Sequence, residues 1–241
     1  MWNIEEKNRI IYIKEKRIGV TCMEYSVCLL AAGQGSRTNL HFNKVHYILS
    51  DPRDPEWQTI LGSSLHVFLE DRECKQIIIT CLEKELEFVK ALYQEDDRVE
   101  VIVGGQTRQE SVAHGLRQVR YPYVFIHDAA RPYLKRLQIE DLKKTLKTER
   151  ACLLMVPSTD TVKIVRNGYV ESTPDRALTF NAQTPQCFET KLIQECHQKA
   201  AEEGRIGTDD AQLVEWYSDV PVKVVVGDSS NIKITLPKDL T

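Results

Sequence analysis

The chain has 241 residues, of which 42% are hydrophobic and 28% are charged, so it is neither a collagen-like nor a mostly disordered sequence and can bury a substantial core. Its formal net charge of −3 provides no overall basic field for a nucleic-acid backbone or an anionic membrane surface. Local charges must therefore hold any anionic substrate, and we expect neither a nucleic-acid nor a membrane partner.

The N-terminal segment, residues 1–22, mixes charged residues with isolated isoleucines and lacks the apolar core of a secretion signal. The longest apolar runs of the chain fall far short of the roughly 20 residues that span a bilayer. The seven cysteines are odd in number and form no C-x-x-C pair, which argues against a disulfide framework and a zinc site. We therefore expect a cytoplasmic protein with reduced, mostly buried thiols.

Apolar and β-branched runs alternate along the chain with segments of helical periodicity. The runs that predict strands cover residues 26–31, 76–80, 99–103, 123–126, 151–156 and 222–226. The segments that predict helices cover residues 59–70, 82–93, 107–118, 138–147, 189–203 and 209–217. Thr107 and Glu110 have the spacing of a capping box at the start of the third helix. This alternation predicts an α/β fold with a doubly wound, mostly parallel sheet that helices cover on both faces.

The first predicted strand runs into a loop rich in small residues, Leu30-Ala-Ala-Gly-Gln-Gly-Ser-Arg37. Small residues let backbone N–H groups approach a phosphate, and ligands of α/β sheets bind at the carboxyl ends of strands. The loop is neither a P-loop nor the dinucleotide fingerprint, since no Gly-Lys-Ser/Thr follows and Thr38 replaces the third glycine. Arg37 and Lys44 favour a triphosphate site over the alternative of a tight strand-to-helix turn, which needs no cations.

A second polar cluster, His127-Asp-Ala-Ala-Arg-Pro132, follows the strand predicted at 123–126. Asp128 could hold Mg²⁺ or a hydroxyl group, and Arg131 could bind phosphate. An Asp–Arg pair that closes the loop is an equally good interpretation, and both remain open at this point. His127 next to a buried strand is more often a structural group, so it receives no catalytic role.

Residues 161–173 interrupt the alternation with two short β-prone runs around Asn167-Gly168. This dipeptide tolerates positive φ and is typical of a tight type I′ hairpin. Residues 173–188 contain two prolines and little helical pattern, so we expect the chain to return extended. We predict that residues 161–190 form a protruding β-arm that contacts a partner subunit.

Eight motifs, taken together, carry a resemblance to a known family. They are LAAGxGxR (30–37), Lys44, GGxxRxxS (104–111), HDAARP (127–132), DTVK (160–163), AQTPQ (182–186), TDDA (208–211) and NIKIT (231–235). In this order they resemble the 2-C-methyl-D-erythritol 4-phosphate cytidylyltransferase family, over nearly the whole chain from Met23 to Leu240. The resemblance implies a Rossmann-like nucleotidyltransferase domain at 23–241, with residues 1–22 as an extension. It also implies a homodimer that transfers CMP from CTP to the polyol phosphate, with Mg²⁺, in non-mevalonate isoprenoid synthesis.

The resemblance also implies roles for individual residues. The nucleotide-binding positions would be Ala32, Gly33, Gly35, Gly105, Gln106 and Ser111. The catalytic positions, which stabilise the transition state or position the attacking phosphate, would be Arg37, Lys44, Arg176 and Lys233. The positions near the polyol phosphate would be Asp128, Arg131, Thr161 and Thr184, with Asp128 also the metal ligand. Arg176 and Thr184 would reach the neighbouring subunit from the arm.

The chain departs from the family pattern at several places, and two of them lie close to Lys44 in sequence. Asn43 stands where the family usually has proline, and because asparagine does not fix φ we expect a less rigid loop before Lys44. Residues 51–57 look like an insertion.

Two other functions remain open from the sequence. Ribitol 5-phosphate cytidylyltransferases share much of the pattern, although Ala32 and Ala130 favour methylerythritol phosphate. A nucleotide-binding subunit without turnover would keep the same fold, although the retained cations argue against it.

Overall fold

The computed structural model describes residues 23–33, 41–49 and 59–240. The predicted extension at 1–22, the loop residues Gly35 and Arg37, and the insertion at 51–57 lie outside these residues, so they stay predictions.

The core of the protein is a sheet of seven strands. The strands are β1 (Tyr25–Leu30), β2 (Cys74–Cys81), β3 (Val99–Val103), β4 (Tyr123–Asp128), β5 (Ala151–Pro157), β8 (Phe180–Glu189) and β9 (Lys223–Val226). Their order across the sheet is β3-β2-β1-β4-β8-β5-β9. Only β8 runs antiparallel to its neighbours, and the other pairings are parallel. The predicted doubly wound, mostly parallel sheet is confirmed.

Helices cover both faces of this sheet. They are α1 (Ile60–Leu69), α2 (Leu86–Tyr93), α3 (Arg108–Leu116), α4 (Arg136–Leu146), α5 (Thr190–Glu202) and α6 (Asp210–Tyr217). The helices α1, α2 and α4 pack with Val27, Leu29 and Phe125 in one core. On the opposite face, α3, α5 and α6 pack with Cys28 and Ile126 in a second core. Alternate residues of each strand are therefore buried on opposite faces, which explains the uninterrupted apolar runs.

The predicted hairpin is present as strands β6 (Ile164–Arg166) and β7 (Tyr169–Ser172), which form a separate two-stranded sheet. Its turn residues Asn167 and Gly168 have φ of 52° and 84°, the positive values that a type I′ turn requires. The predicted extent of the arm, 161–190, is wrong at its C-terminal end.

Residues 180–189 do not belong to the arm, because they form β8 in the middle of the main sheet, between β4 and β5. This strand carries Gln183, Thr184 and Gln186, which are polar yet buried. Because these residues are polar, a prediction based on apolar runs does not identify the strand. Their burial is possible because hydrogen bonds satisfy them.

Among the described residues, no helix is long and apolar enough to cross a bilayer. Six of the seven cysteines lie in the described ranges, and all six are buried and unpaired, as predicted.

Candidate active site

A cleft of about 880 Å³ opens at the carboxyl ends of strands β1 to β4. Each of these strands delivers a loop to its wall, as expected for a ligand site of an α/β sheet. Many of the residues predicted from the sequence line it: Ala32, Gly33, Lys44, Gly105, Gln106, Ser111, Asp128 and Lys233. The fold therefore gathers residues that lie as far apart as 32 and 233 in the chain.

The loop after β1 and the loop after β3 form one wall, and the two glycines of the second loop are required by close approach. A Cβ atom added to Gly104 would lie 2.5 Å from the Cβ of Ala32, and one added to Gly105 would lie 2.2 Å from the Cβ of Glu110. Only glycine lets these backbones come so close. The result is a wall of exposed backbone groups rather than side chains.

The hydroxyl group of Ser111 braces this wall. Ser111 Oγ donates to the carbonyl oxygen of Thr107 at 2.9 Å and accepts from the backbone N–H of Gly105 at 3.0 Å. Its single proton is thus committed, so the hydroxyl can offer a nucleotide only a lone pair. The predicted cap of α3 is formed by Thr107, whose side chain accepts from Glu110 N at 3.1 Å. The Glu110 carboxylate accepts from Gln106 N at 2.7 Å, one residue before the position that a capping box would use.

Asn43 ties the segment that carries Lys44 to the first loop. Its Nδ2 donates to the carbonyl oxygen of Ala31 at 2.8 Å and to Glu85 Oε2 at 3.0 Å. Its Oδ1 accepts from Val45 N at 3.4 Å, and Asn43 itself has φ of −65°, the angle that proline imposes. Lys44 is 8% exposed and starts a 3₁₀ turn at the cleft wall. Hydrogen bonds therefore do here what a proline ring would do, contrary to the expected loss of rigidity.

Asp128 is the charged centre of the cleft. Arg108 Nε donates to its Oδ1 at 3.2 Å, and Lys233 Nζ donates to its Oδ2 at 2.6 Å. Arg108 also donates from Nη1 to Asp210 Oδ2 at 2.8 Å, and His197 Nε2 lies 3.1 Å from Asp210 Oδ1. Two buried carboxylates therefore share one guanidinium group.

These charges decide which groups are ionised. Burial by itself would raise the pKa of Asp128, but the charge of Arg108 and then that of Lys233 hold it well below its usual range. Burial also acts to raise the pKa of Asp210, and Arg108 and His197 lower it. Burial acts to lower the pKa of Arg108, but the two carboxylates raise it. At neutral pH the cleft thus contains an ionised carboxylate between two cations.

Arg108 and Asp210 are not among the site residues that the sequence predicts. Both stand in motifs that carried the resemblance, at 104–111 and 208–211. The charged residues of these two motifs were the signal that could have pointed to Arg108 and Asp210, but the sequence does not show that the two side chains meet.

Arg131 does not line the cleft. Its Nη1 donates to the backbone carbonyl oxygen of Asn231 at 2.7 Å, and Ile234 N donates to the carbonyl oxygen of Ala130 at 2.8 Å. These bonds hold the segment that carries Lys233 against the loop after β4. The Asp–Arg pair that the sequence left open is not formed within the described part of the chain, since the ion pairs of Asp128 there are with Arg108 and Lys233.

Thr184 lies in β8, not on the arm as predicted, and is 4% exposed. Its hydroxyl group contacts the ring of His127. Burial lowers the pKa of His127 to about 4, so this ring is neutral at pH 7. Its Nε2 faces the carbonyl oxygen of Arg131 at 3.2 Å, which can only accept, so the ring proton lies on Nε2. Thr184 Oγ1 then donates to His127 Nδ1 at 2.9 Å and accepts from Asp128 N at 3.0 Å. In this position the hydroxyl group of Thr184 holds the backbone of Asp128.

Two further predicted residues, Thr161 and Arg176, meet at the base of the arm. Arg176 Nη2 donates to Thr161 Oγ1 at 2.7 Å, and both residues are exposed. Neither lines the cleft of its own chain. The pair therefore presents a guanidinium and a hydroxyl group to solvent outside the cleft.

The cleft residues fit a magnesium ion that a nucleotide brings with it. Within residues 23–33, 41–49 and 59–240, no cluster of three or more His, Cys, Asp or Glu side chains forms an all-protein metal cage. Mg²⁺ is commonly held by one or two carboxylates together with substrate phosphates and water. The ionised carboxylate of Asp128 at the cleft wall supplies such a ligand.

Comparisons with known proteins agree with this geometry. Residues 25–241 match the protein family described as 2-C-methyl-D-erythritol 4-phosphate cytidylyltransferase. The chain is 40% identical over 222 residues to the protein of that name from Halalkalibacterium halodurans, which covers 90% of this chain and 94% of that protein. It is 37% identical over 222 residues to the one from Clostridioides difficile, at 90% of each chain.

Solved structures give the same result. The 4-diphosphocytidyl-2C-methyl-D-erythritol synthase from Anaerococcus prevotii superposes with a TM-score of 0.78 at 30% identity, over 90% of this chain and 95% of that one. The 2-C-methyl-D-erythritol 4-phosphate cytidylyltransferase from Francisella tularensis superposes with a TM-score of 0.74 at 30% identity, over 90% and 96%.

Proposed function

Since the chain belongs to the 2-C-methyl-D-erythritol 4-phosphate cytidylyltransferase family, we propose that its cleft is the active site for the reaction of that family. The enzyme is a CTP-dependent nucleotidyltransferase, and the resemblance drawn from its motifs is confirmed. It transfers CMP from CTP to 2-C-methyl-D-erythritol 4-phosphate, giving 4-diphosphocytidyl-2-C-methyl-D-erythritol and pyrophosphate, in isoprenoid synthesis. The names of the relatives favour this acceptor over ribitol 5-phosphate.

The convergence of Lys44, Arg108, Asp128 and Lys233 on one cleft is the observation that supports the site most strongly. In the reaction, a phosphate oxygen of the acceptor forms a bond to the α-phosphorus of CTP. The bond from that phosphorus to the bridging oxygen of the β-phosphate breaks, and pyrophosphate leaves. Both substrates are polyanions, so positioning and charge neutralisation make up most of the catalysis.

The chemistry needs no general base. The second pKa of a phosphate monoester is about 6, so the nucleophile is already largely dianionic at neutral pH. This agrees with the neutral and fully hydrogen-bonded state of His127, the histidine nearest to Asp128 in sequence. Lys44 would neutralise charge that develops on the non-bridging oxygens of the α-phosphate. Lys233 would release Asp128 to hold the attacking phosphate.

Asp128 would also hold the Mg²⁺ ion that accompanies the triphosphate. When bound, the ion supplies Lewis-acid neutralisation of phosphate oxygens. The backbone N–H groups of Gly104, Gly105 and Gln106 are bonded within the chain, so this wall can offer a flat nucleobase only carbonyl acceptors. Cytosine carries a donating amino group where uracil carries an acceptor, which supports the predicted cytosine site. We expect CTP to be preferred over UTP and ATP in steady-state rates at equal nucleotide concentration, and comparable turnover with UTP would contradict the cytosine assignment.

A homodimer joined through the arm is part of the proposal. Apolar side chains of the arm are largely exposed, with Tyr169 at 80% and Leu178 at 81%. An isolated two-stranded hairpin is marginally stable in water, so this surface favours a partner. In a symmetric dimer the Thr161 and Arg176 pair would reach the acceptor phosphate in the cleft of the other subunit.

Subunit mixing tests the homodimer. Inactive Arg176→Ala protein mixed with inactive Lys44→Ala protein should recover part of the activity, because one site of the heterodimer holds both residues intact. A monomer by light scattering, or no recovery after proven subunit exchange, would contradict the dimer.

We also keep the cytoplasm as the proposed location, which the reduced, buried cysteines favour.

The experiment that tests the function measures pyrophosphate release from CTP and Mg²⁺ with each of two acceptors, 2-C-methyl-D-erythritol 4-phosphate and ribitol 5-phosphate. We expect turnover with the first acceptor and little with the second. Faster turnover with ribitol 5-phosphate would reassign the acceptor, and no turnover with either would refute the proposed reaction.

A further inference from the structure

Asp210 is joined to the cleft although it does not line it. It is 1% exposed and lies at the start of α6, and Arg108 connects it to Asp128. Its position is well fixed, because Gln186 Oε1 accepts from the backbone N–H groups of Asp210 and Ala211 at 3.0 Å each. His197 Nε2 lies 3.1 Å from its second carboxylate oxygen. The mechanism described above uses no part of this buried group.

The geometry of Arg108 depends on Asp210. Arg108 contacts Asp128 through Nε and Asp210 through Nη1, so its fork is divided between two carboxylates. A guanidinium with one carboxylate in reach tends to bind it through two parallel hydrogen bonds. Without the second anchor, Arg108 could turn its fork towards Asp128 and occupy both oxygens of that carboxylate.

The charge of the cleft also depends on Asp210. Asp128 and Asp210 together carry two negative charges against the single positive charge of Arg108. Asp128 therefore keeps negative charge that Lys233 balances in the free protein. If Asp210 lost its charge, Asp128 would face both Arg108 and Lys233 with no second carboxylate to share Arg108, and it would attract a divalent cation less strongly.

We propose that Asp210 is a positioning residue of the active site, which acts through Arg108 to keep the Asp128 carboxylate oriented and only partly neutralised for the nucleotide and its metal ion. The inference rests on the proposed function of the cleft. Asp210 itself does not touch the substrate. Residues that hold a metal ligand in this way typically contribute about 10–100-fold to metal affinity or activity.

The neighbouring residue provides a matched control. Asp209 caps the same helix, with its Oδ1 accepting from Gln212 N at 2.9 Å and its Oδ2 accepting from Gln186 Nε2 at 2.8 Å. Neither of these two bonds involves Arg108. Asp209→Asn and Asp210→Asn remove the same charge from the same helical turn, and only the second removes an anchor of Arg108.

Two measurements test the proposal on the full chain. The first is steady-state pyrophosphate release at varied Mg²⁺ and CTP, and the second is calorimetric titration with CTP in Mg²⁺ and in EDTA. We expect Asp210→Asn to weaken both turnover and the Mg²⁺-dependent part of CTP binding by about 10–100-fold. Asp209→Asn keeps the contact between Arg108 and Asp210 and alters only the bonds of Asp209 to Gln186 and Gln212, so it should lose far less in both. The double variant Arg108→Met with Asp210→Asn should be no worse than the poorer single variant, because both changes break one pathway.

Three results would overturn the proposal. They are wild-type Mg²⁺ dependence in Asp210→Asn, equal losses in Asp209→Asn, and additive losses in the double variant. If Asp210→Asn does not fold, Arg108→Met alone tests the same contact, since methionine has no group that can donate to either carboxylate, and wild-type Mg²⁺ dependence there would overturn the proposal. If the wild type shows no turnover, the proposed function fails, and the calorimetric comparison still decides the role of Asp210.

Discussion

Replacing Thr184 by valine separates the two roles that this residue has now been given. Valine has nearly the shape of threonine but lacks the hydroxyl group that bridges His127 Nδ1 and Asp128 N. The substitution leaves two buried polar groups without a partner, and each such group costs about 1–3 kcal/mol. We therefore expect Thr184→Val to lower the free energy of unfolding by about 2–6 kcal/mol.

Urea unfolding followed by circular dichroism measures this loss, with Thr184→Ser as the control. Serine keeps the hydroxyl group and loses one methyl group, which costs about 1 kcal/mol. A Thr184→Val protein as stable as Thr184→Ser would refute the bridging role. If that stable protein also had a raised Michaelis constant for the polyol phosphate, the substrate contact predicted from the sequence would stand instead.

Three other predictions concern the cleft and its supports. Lys44→Ala should lower the maximal rate by about 10²–10³-fold with little change in the Michaelis constant for CTP, because its charge matters most in the transition state. In steady-state kinetics, a normal maximal rate with a raised Michaelis constant would instead show that Lys44 binds the ground state. Asn43→Pro should keep most of the activity because the φ of −65° suits proline, whereas Asn43→Ala should lose activity. The reverse order in the same assay would contradict the conclusion that Asn43 fixes the segment that carries Lys44. His127 has a pKa lowered from 6.5 to about 4, so its neutral form stabilises the fold above pH 6.5, and that stability is lost as the pH falls towards 4. Urea titrations across this range should show a loss of roughly 3 kcal/mol that is smaller in His127→Gln, and identical pH profiles would contradict it.

Local patterns in the sequence were sufficient for most of the architecture, although not for β8. The alternation of apolar runs with helical periodicity determines the doubly wound sheet, because buried parallel strands need apolar side chains on both faces. Asn167-Gly168 determines the hairpin, because few dipeptides accept two positive φ values. The glycines at 104–105 and the small residues at 31–33 marked the cleft loops, because small residues at strand ends are typical of loops whose backbone approaches a ligand. These features depend on neighbours within a few positions along the chain.

The tertiary structure decided the partners of the charged and polar groups. Asp128 is followed by Arg131 three residues later, yet its ion pairs are with Arg108 and Lys233, 20 and 105 residues away. A side chain of either sign has many possible partners, and only the packing of β4 against the loops around it selects among them. Thr184 was assigned to the arm because residues 173–188 contain two prolines and little helical pattern, and because the resemblance places it there. Its burial became possible only when hydrogen-bonding groups from β4 were brought to it, an arrangement that no local pattern records.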